Sequence, residues 1–517
     1  METMIGWAST LLSLLFGGCF LWYTKLRRRK QQRPFPDVPY CVPAPHWLLG
    51  HLRLLGRDVL EGQRRLCVEH ASDRGVCTFW TLGTPSVSLL NAKDVKRVFG
   101  MSSDRRGNPQ VTRHFRRLFG ESSLLMLNGK EWKKNREIVH RSLKSSSIPQ
   151  LNRALLKASR RVAAALANDV GKGSLQVDAL DLSRMAVLDV FGLSCLGFDF
   201  HCTSEGTMQP SIIFRQLGFL QSECTRRCYT DRFNVAAQFY SIPTPANRRF
   251  AREHRDLRRT LKEIVADRRA TSSSPSDDTI LLDNLLHGES AADDDYLADW
   301  LITMLLGQET SAIGMCYTLF FLAKYPHIQE ECRREVARAQ HTDEFDATVQ
   351  LPFLYACFWE AVRMFPPTTV TARNPTRSFE VEVDGKQLSF PGGTRVVASI
   401  YWIHRSEQNF PRPNEYLPER WVHRLADGSW GRRTETVGSG EVPAGDWSSN
   451  MAFSVGGRNC VGKPLALRMI PTILAQLLLQ NRFRLMDDGS FRLKRFGASA
   501  IPDGGLPLVV DHVGGAS

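Results

Sequence analysis

Three short stretches of the chain carry residues that could do chemistry. The first is Phe453 to Gly462, where Cys460 stands among Gly456, Gly457, Arg458 and Gly462, shortly before Pro464. The glycines permit a tight loop with positive φ and a close backbone approach to something flat, and the proline pre-sets the first turn of a helix. Cys460 therefore precedes a helix N-terminus, whose free N–H groups and dipole favour an anion, so the thiolate is expected to be stabilised over the thiol. A thiolate is a metal ligand. No second cysteine lies at zinc-ligand spacing from Cys460, so a lone axial thiolate on haem iron fits better than zinc. The plain alternative is a buried structural cysteine in a glycine-rich turn.

The second stretch is Leu306, Gly307, Gln308, Glu309, Thr310 and Ser311, in the middle of an apolar run. A carboxylate beside two hydroxyls in such a helix is costly unless it is hydrogen-bonded or faces water. A solvated face explains Glu309 but not the cluster. The third is the pair Glu360 and Arg363, which share a helix face and alone read as a commonplace surface salt bridge.

Each stretch needs an element to hold it. Asp293, Asp294 and Asp295 suit a helix N-terminus, and the apolar pattern runs on to Tyr325, where Pro326 stops it, which predicts one long helix. Phe353 to Met364 reads as the helix under Glu360, and Trp132 and Arg136 lie one helical turn apart among good helix formers. Pro471 predicts a kink in the helix that follows Cys460. Glu380 to Val383, Leu388 to Phe390 and Arg395 to Trp402 read as strands turned at Asp384 and Gly385, and Cys77 to Leu90 reads as a hairpin. Met101 to Leu127 reads as a long loop with at most short helices. Pro149 to Arg268 reads mostly as helices, with irregular intervals around Cys202 to Pro210 and Pro243 to Asn247.

Position for position, Phe453, Gly456, Arg458, Cys460 and Gly462 resemble the haem-binding loop of the cytochrome P-450 family. The resemblance implies that Cys460 is the proximal iron ligand, that Phe453 packs near the sulfur and that Arg458 pairs with a haem propionate. Trp132 and Arg136 resemble a Trp-x-x-x-Arg pair that contacts the propionates, and Arg373 sits where the family often has another propionate-binding arginine. Gly307, Glu309, Thr310 and Ser311 match a motif whose acid and threonine deliver protons to iron-bound oxygen; Leu306 departs from the usual Ala or Gly and is expected to crowd that face. Glu360 and Arg363 match a Glu-x-x-Arg pair that locks to a later arginine, here Arg420, which implies one buried network behind the haem.

These motifs run from Trp132 to Gly462 in the family's order. They imply a mainly α fold, a helical prism with a small β part, that holds haem b (iron protoporphyrin IX). The activity implied is that of an oxidoreductase, a haem-thiolate monooxygenase that inserts one oxygen atom from O2 into an apolar organic substrate. The sequence has no G-x-G-x-x-G fingerprint, so electrons are expected from a separate protein, a flavin-containing NADPH-cytochrome P-450 reductase docking on the cysteine side. Two rivals are a haem-thiolate isomerase or dehydratase acting on hydroperoxides, whose members often lose the acid and threonine, and a non-catalytic membrane haem sensor.

Composition sets the frame. With 43% hydrophobic and 9% aromatic residues, the 517-residue chain can build one large core. Its net charge of +14 calls for a partner or a membrane, and the chain shows no basic helix interleaved with aromatics, which argues against nucleic acid. Acidic lipids or an acidic electron donor suit it better. Met4 to Tyr23 is an uncharged apolar run of bilayer-spanning length, followed at once by Lys25, Arg27, Arg28, Arg29, Lys30 and Arg33. That order predicts a single-pass anchor in residues 1–33 with the body in the cytosol, at the endoplasmic reticulum by resemblance. A cleaved signal peptide competes, but the start lacks a basic region. Residues 34–517 are read as a stiff hinge of Pro34, Pro36, Pro39, Pro43 and Pro45 and one catalytic domain. The twelve cysteines are scattered, which predicts mostly free thiols in a reducing compartment.

Overall fold

The computed structural model describes residues 33–513 apart from 42–49, 55–58, 82–83, 102–108, 143–147, 172, 204–205, 232–233, 272–280, 287–292, 340–341, 343, 434–448 and 497–498. The expected anchor at 4–23, the basic run 25–30 and most of the serine-rich loop after Thr271 lie outside these residues. Among the described residues, no helix is long and apolar enough to cross a membrane. The chain divides into two units. One comprises Met1–Arg106, Val370–Asn409 and Val455–Gly457, and the other Gly107–Thr369, Phe410–Ser454 and Arg458–Ser517.

The first unit is built on a four-stranded sheet. Strands Val76–Thr81 and Thr84–Leu89 form the expected antiparallel hairpin, with Val87 and Leu89 turned into the core. Arg395–Ser399 adds to that hairpin in parallel, and Val370–Arg373 closes the other side antiparallel. The strand expected to reach Trp402 ends at Ser399, where Ile400–Ile403 turns helical. A separate hairpin pairs Phe379–Val383 with Lys386–Phe390, and its turn residues Asp384 and Gly385 both take positive φ, the geometry that matches strand twist.

In the second unit, six helices position the candidate site: α1 (Gly129–Ser142), α2 (Ala179–Phe191), α3 (Asp294–Gly307), α4 (Glu309–Lys324), α5 (Pro352–Met364) and α6 (Lys463–Gln480). Every residue of α4 from Ala312 to Ala323 is buried, so this helix is apolar on all sides and is packed by α2 and α5. The long helix expected from Asp293 to Tyr325 is thus two helices divided at Gln308. Helix α6 passes through Pro471 as one element.

Two elements depart from the sequence reading for identifiable reasons. Pro109–Phe119 is an 11-residue helix in a stretch expected to be a long loop with at most short helices; it buries Leu118 and His114 on one face, and His114 reaches Tyr240 Oη and Gln238 Oε1 at 3.0 Å each. A buried, bonded histidine does the work that apolar periodicity would have advertised. Ser174–Asp178 is a strand inside the mostly helical region, paired with Pro507–His512, itself paired with Asn481–Leu485. Eleven described cysteines are free thiols, and all but Cys460 are buried.

The start of α5 depends on one acid. Leu351 offers no side-chain cap, and Glu335 instead accepts the N–H groups of Phe353 at 2.8 Å and Leu354 at 2.9 Å. Burial pushes its carboxyl up from 4.5 to about 7, with those N–H bonds opposing. A raised folded-state value means that this group's contribution to stability is complete below the unfolded value near 4.5 and is lost as pH rises through about 7. Glu335→Gln keeps an acceptor and does not titrate, so over that window it should gain up to about 3 kcal/mol on the wild type. Chemical denaturation of both proteins on either side of the window checks this; parallel pH profiles would refute it.

Candidate active site

The cysteine loop is held by local bonds. Cys460 N–H donates to Phe453 O at 2.8 Å, and Ser454, itself at φ 58°, donates to Met451 O at 2.7 Å. Phe453 meets the Trp359 ring edge-on, centroids 5.5 Å apart, with Lys463 Nζ 5.2 Å from the Trp359 centroid. The sulfur is exposed, yet protein surrounds it closely enough that burial raises the thiol above its ordinary value. The N–H groups of Gly462 and Lys463 and the charges of Arg136 and Lys463 pull the other way. The helix N-terminus is therefore present as expected, but in the protein alone burial outweighs it.

Arg136 and Arg458 both belong to the face beside this loop. Arg136 donates to Asn459 O at 2.9 Å and to Asn459 Oδ1, and Arg458 donates to Leu127 O and Asn128 Oδ1. Both guanidinium groups lie over the Trp132 ring, at 5.5 and 4.2 Å from its centroid. The segment supplying Leu127 is tied in turn to α3, where Asp299 Oδ2 accepts Ser122 N–H at 3.1 Å and Thr303 Oγ1 donates to Ser123 Oγ at 2.8 Å. Gly120 makes this approach possible: it takes φ 88°, and a Cβ there would collide with the Asp299 carboxyl group. Val461 packs beside Trp300, Val139 and Leu285, so the residue after the cysteine rests on α3 and α1 together.

The break between α3 and α4 has a chemical cause. Ser311 N–H bonds Gln308 O at 2.8 Å, one residue short of the α-helical partner, and the Gly307 carbonyl accepts the Thr310 hydroxyl at 2.9 Å instead. A hydroxyl competing for a helix carbonyl bends helices. Gly307 is exposed at the end of α3, with nothing inside 4 Å of where a Cβ would stand. Leu306, expected to crowd the oxygen face, is buried. Glu309 is not a lone carboxylate; Arg184 on α2 holds it at 2.5 to 3.1 Å.

Glu360, Arg363 and Arg420 come together with no exposure at all. The Glu360 carboxylate receives five hydrogen bonds, from Arg363 Nε and Nη2, Arg420 Nε, Leu417 N–H and Trp421 Nε1, all at 2.8 to 3.1 Å. Two cations against one anion leave an excess of positive charge, met by carbonyls: Pro413 and Glu415 for Arg363, Arg412 for Arg420. Arg373 and Gly456 belong to the first unit. There Arg373 is buried, donates to Thr371 Oγ1 and Ala372 O at 3.0 and 2.9 Å, and lies 5.0 Å over the Phe99 ring. Gly456 takes φ 74°, and a Cβ on it would come 2.5 Å from Phe99 O.

The comparisons with known proteins now decide the family. The Cytochrome P450 family model matches residues 41–503. The chain belongs to the cytochrome P450 family. It is similar to Cytochrome P450 4F3 of Rattus norvegicus, 26% identical over 97% of this chain and 95% of the relative. Cytochrome P450 4F8 of Homo sapiens is also 26% identical, over 93% of this chain and 90% of the relative, and human Cytochrome P450 4F2 is 24% identical over 98% and 94%. The protein is accordingly an oxidoreductase, a monooxygenase of the P450 fold with haem b as its cofactor.

The residues present fit that group. Cys460 is a soft donor whose sulfur is both enclosed and reachable, and the opening at Gly307 belongs to the same unit. Several functional residues escaped the sequence reading: Asn459, Asp299, Trp421 and Arg184. Only Asp299 left a signal, an acid in an apolar helix two turns before Gly307; the others act through partners far off in the chain.

The triad yields a quantitative expectation. Glu360→Gln keeps the shape but leaves two buried guanidinium groups without their counter-charge, which should lower stability by about 3–5 kcal/mol. Chemical denaturation of the haem-loaded protein measures it; a loss under about 1 kcal/mol, the level of an exposed pair, would show that the network carries little.

Proposed function

We propose that this P450 is a membrane-anchored haem-thiolate monooxygenase that inserts one oxygen atom from O2 into an apolar organic substrate, drawing electrons from a separate NADPH-dependent reductase. The observation that carries the reading is Cys460, an accessible sulfur at the start of α6 with two N–H groups directed at it. In this reading Cys460 ligates the iron, Phe453 packs near the sulfur, and Gly456 and Gly462 shape the loop. Trp132, Arg136, Arg458 and Arg373 hold the propionates. Arg136 and Arg458 now donate to neutral oxygens, which a carboxylate displaces readily because a charge-assisted bond is roughly twice as strong as a neutral one.

Bound haem supplies oxygen activation, with the thiolate pushing electron density to favour O–O cleavage. The protein's own part is proton handling and support. Thr310 spends its hydroxyl hydrogen on Gly307 O, so its oxygen is left to accept a hydrogen bond from whatever lies at the Gly307 opening. Glu309, one residue away, is the carboxylate that carries a proton to that place. Glu360, Arg363 and Arg420 keep α5 and the 412–421 segment from shifting beneath the loop. This acid and hydroxyl at an open helix bend favour the oxygenase over the hydroperoxide isomerase or the sensor.

The electron donor is proposed to dock on the cysteine side. Lys130 and Lys133 are exposed on α1, the helix whose Arg136 bonds Asn459 beside the cysteine, and they suit an acidic partner. Residues 34–517 are proposed to act as one catalytic domain, an extent that the family match at 41–503 supports. Met4 to Tyr23 with its following basic cluster supports the anchor.

Reduced protein with carbon monoxide should give the red-shifted Soret band of a thiolate-ligated haem, and Cys460→Ala should lose it; retention of the band would sink the assignment. In the same preparation, Thr310→Ala should keep the band while NADPH consumption yields peroxide instead of product, with product formation down by about a hundredfold or more. Turnover of a hydroperoxide without reductase, unchanged by that substitution, would favour the isomerase.

The anchor is tested separately. Deleting the residues before Pro34 should release much of the protein from membranes, and protease added to sealed microsomes should digest the body of the full chain. A body protected from the protease would reverse the topology.

A further inference from the structure

The acid that α3 carries two turns before Gly307 belongs to none of the motifs, yet the seat of Arg458 hangs on it. The Asp299 side chain is 9% exposed, and its two oxygens serve different elements. Oδ1 accepts from Arg258 Nη1 on the helix Pro245–Thr271, and Oδ2 accepts Ser122 N–H at 3.1 Å. That helix grips the same stretch of chain a second time, one turn earlier, where His254 Nε2 donates to Leu118 O at 3.0 Å. Arg258 is also tied to α3 on its outer side, where Nη2 donates to Asp295 Oδ1 at 2.8 Å and Lys262 Nζ lies 2.8 Å from the same oxygen.

Beyond Ser122 the chain closes on itself. Ser123 O accepts the N–H groups of Met126 and Leu127 at 2.8 and 3.1 Å, and Ser123 Oγ accepts Leu125 N–H at 3.2 Å. This turn presents Leu124 O, at 3.4 Å, and Leu127 O to the Arg458 guanidinium, and Asn128 Oδ1 joins them. Asn128 O in turn accepts Trp132 N–H at 3.4 Å, so the segment that seats Arg458 also opens α1. A backbone N–H bonded to a carboxylate makes a charge-assisted bond, and a buried carboxylate that loses its cation is costly, so Arg258, Asp299 and Ser122 hold or fail together.

We propose that Asp299, held by Arg258, is a positioning residue for Arg458: its carboxylate fixes the 120–128 turn, and the turn fixes the guanidinium at the propionate it binds. The inference rests on the reading of Arg458 as a propionate-binding residue. Its consequence is electrostatic. Reduction adds one electron to the haem, so a cation kept beside a propionate favours the reduced form, and a cation that drifts away favours it less. Loosening the turn therefore weakens haem retention and moves the midpoint potential in the negative direction, although Asp299 itself touches neither haem nor Arg458.

The test uses the haem-loaded full chain and two readouts that need no turnover: the rate at which haem passes to an excess of a haem-free globin, and the ferric/ferrous midpoint potential without substrate. The variants are Asp299→Ala, Asp299→Asn, Arg458→Met and the Ala/Met double variant, with Asp295→Asn as the control that breaks only the exposed side of the same helix contact. Asp299→Ala should release haem several-fold faster and shift the potential negative, in the direction of Arg458→Met and by less. Asp299→Asn keeps an acceptor for Ser122 but loses the charge that holds Arg258, and should show a smaller shift of the same sign. Asp295→Asn should move neither readout, and the double variant should match Arg458→Met alone, since a turn with no guanidinium to seat has nothing further to lose. Additive effects in the double variant, or an equal shift in Asp295→Asn, would reduce Asp299 to a general packing role and overturn the proposal. So would wild-type values in Asp299→Ala while Arg458→Met still shifts both readouts. If Arg458→Met itself changes neither, the reading of Arg458 at the propionate falls and the proposal with it. Should Asp299→Ala fail to take up haem, Asp299→Asn decides, and an unmoved potential there is equally fatal.

Discussion

The second unit depends on one buried anion. Glu360 is completely enclosed and satisfies five donors from Arg363, Arg420, Leu417 and Trp421, so the helix α5 and the segment that carries Arg412 to Trp421 cannot separate without stranding charge. Hydrophobic contacts alone would tolerate sliding between these elements; a charge network with fixed bond directions does not. Trp359, the residue before Glu360, lies against Phe453, so the orientation that the network imposes on α5 is handed directly to the start of the cysteine loop. Burial pulls the Arg420 guanidinium below its ordinary value, with Glu360 opposing, which is the strain of keeping two cations beside one anion in the interior.

A second constraint works by withholding bonds rather than making them. The Gly307 carbonyl accepts a threonine hydroxyl where an α-helix would supply an amide, and the helical run breaks beside Gly307, an exposed glycine at the end of the largely apolar α3. The apolar packing of α4 keeps this local defect from spreading, since every residue from Ala312 to Ala323 is enclosed. Rigidity behind the cysteine and a controlled irregularity in the α3–α4 pair are thus the two conditions the site needs, and they come from different kinds of interaction.

How far the sequence could be read follows from the range of the forces involved. The cysteine loop and the Glu360–Arg363 pair were legible because their residues sit within a turn or two of each other, and the Asp384–Gly385 hairpin because its turn chemistry is local. The α3–α4 break was not, since a hydroxyl-for-amide exchange leaves no proline or charge signal, and a single long helix was the natural reading of Asp293 to Tyr325. Pairings that join distant segments were equally silent: Arg184 with Glu309, Ser122 with Asp299, and the strand Ser174–Asp178 with Pro507–His512. The helix Pro109–Phe119 was missed because a histidine with two side-chain partners, rather than an aliphatic residue, occupies part of its inner face.

Gly120 illustrates how such distant pairings limit change. Its positive φ and the carboxyl group of Asp299 pressed against it exclude every side chain, and the same short loop goes on to present Leu127 to Arg458. Neither partner can drift alone: a larger residue at 120 displaces Asp299, and a larger acid at 299 presses on the loop. The relatives named above share about a quarter of this chain's residues, and one that has replaced the glycine is expected to have rebuilt the acid opposite it as well.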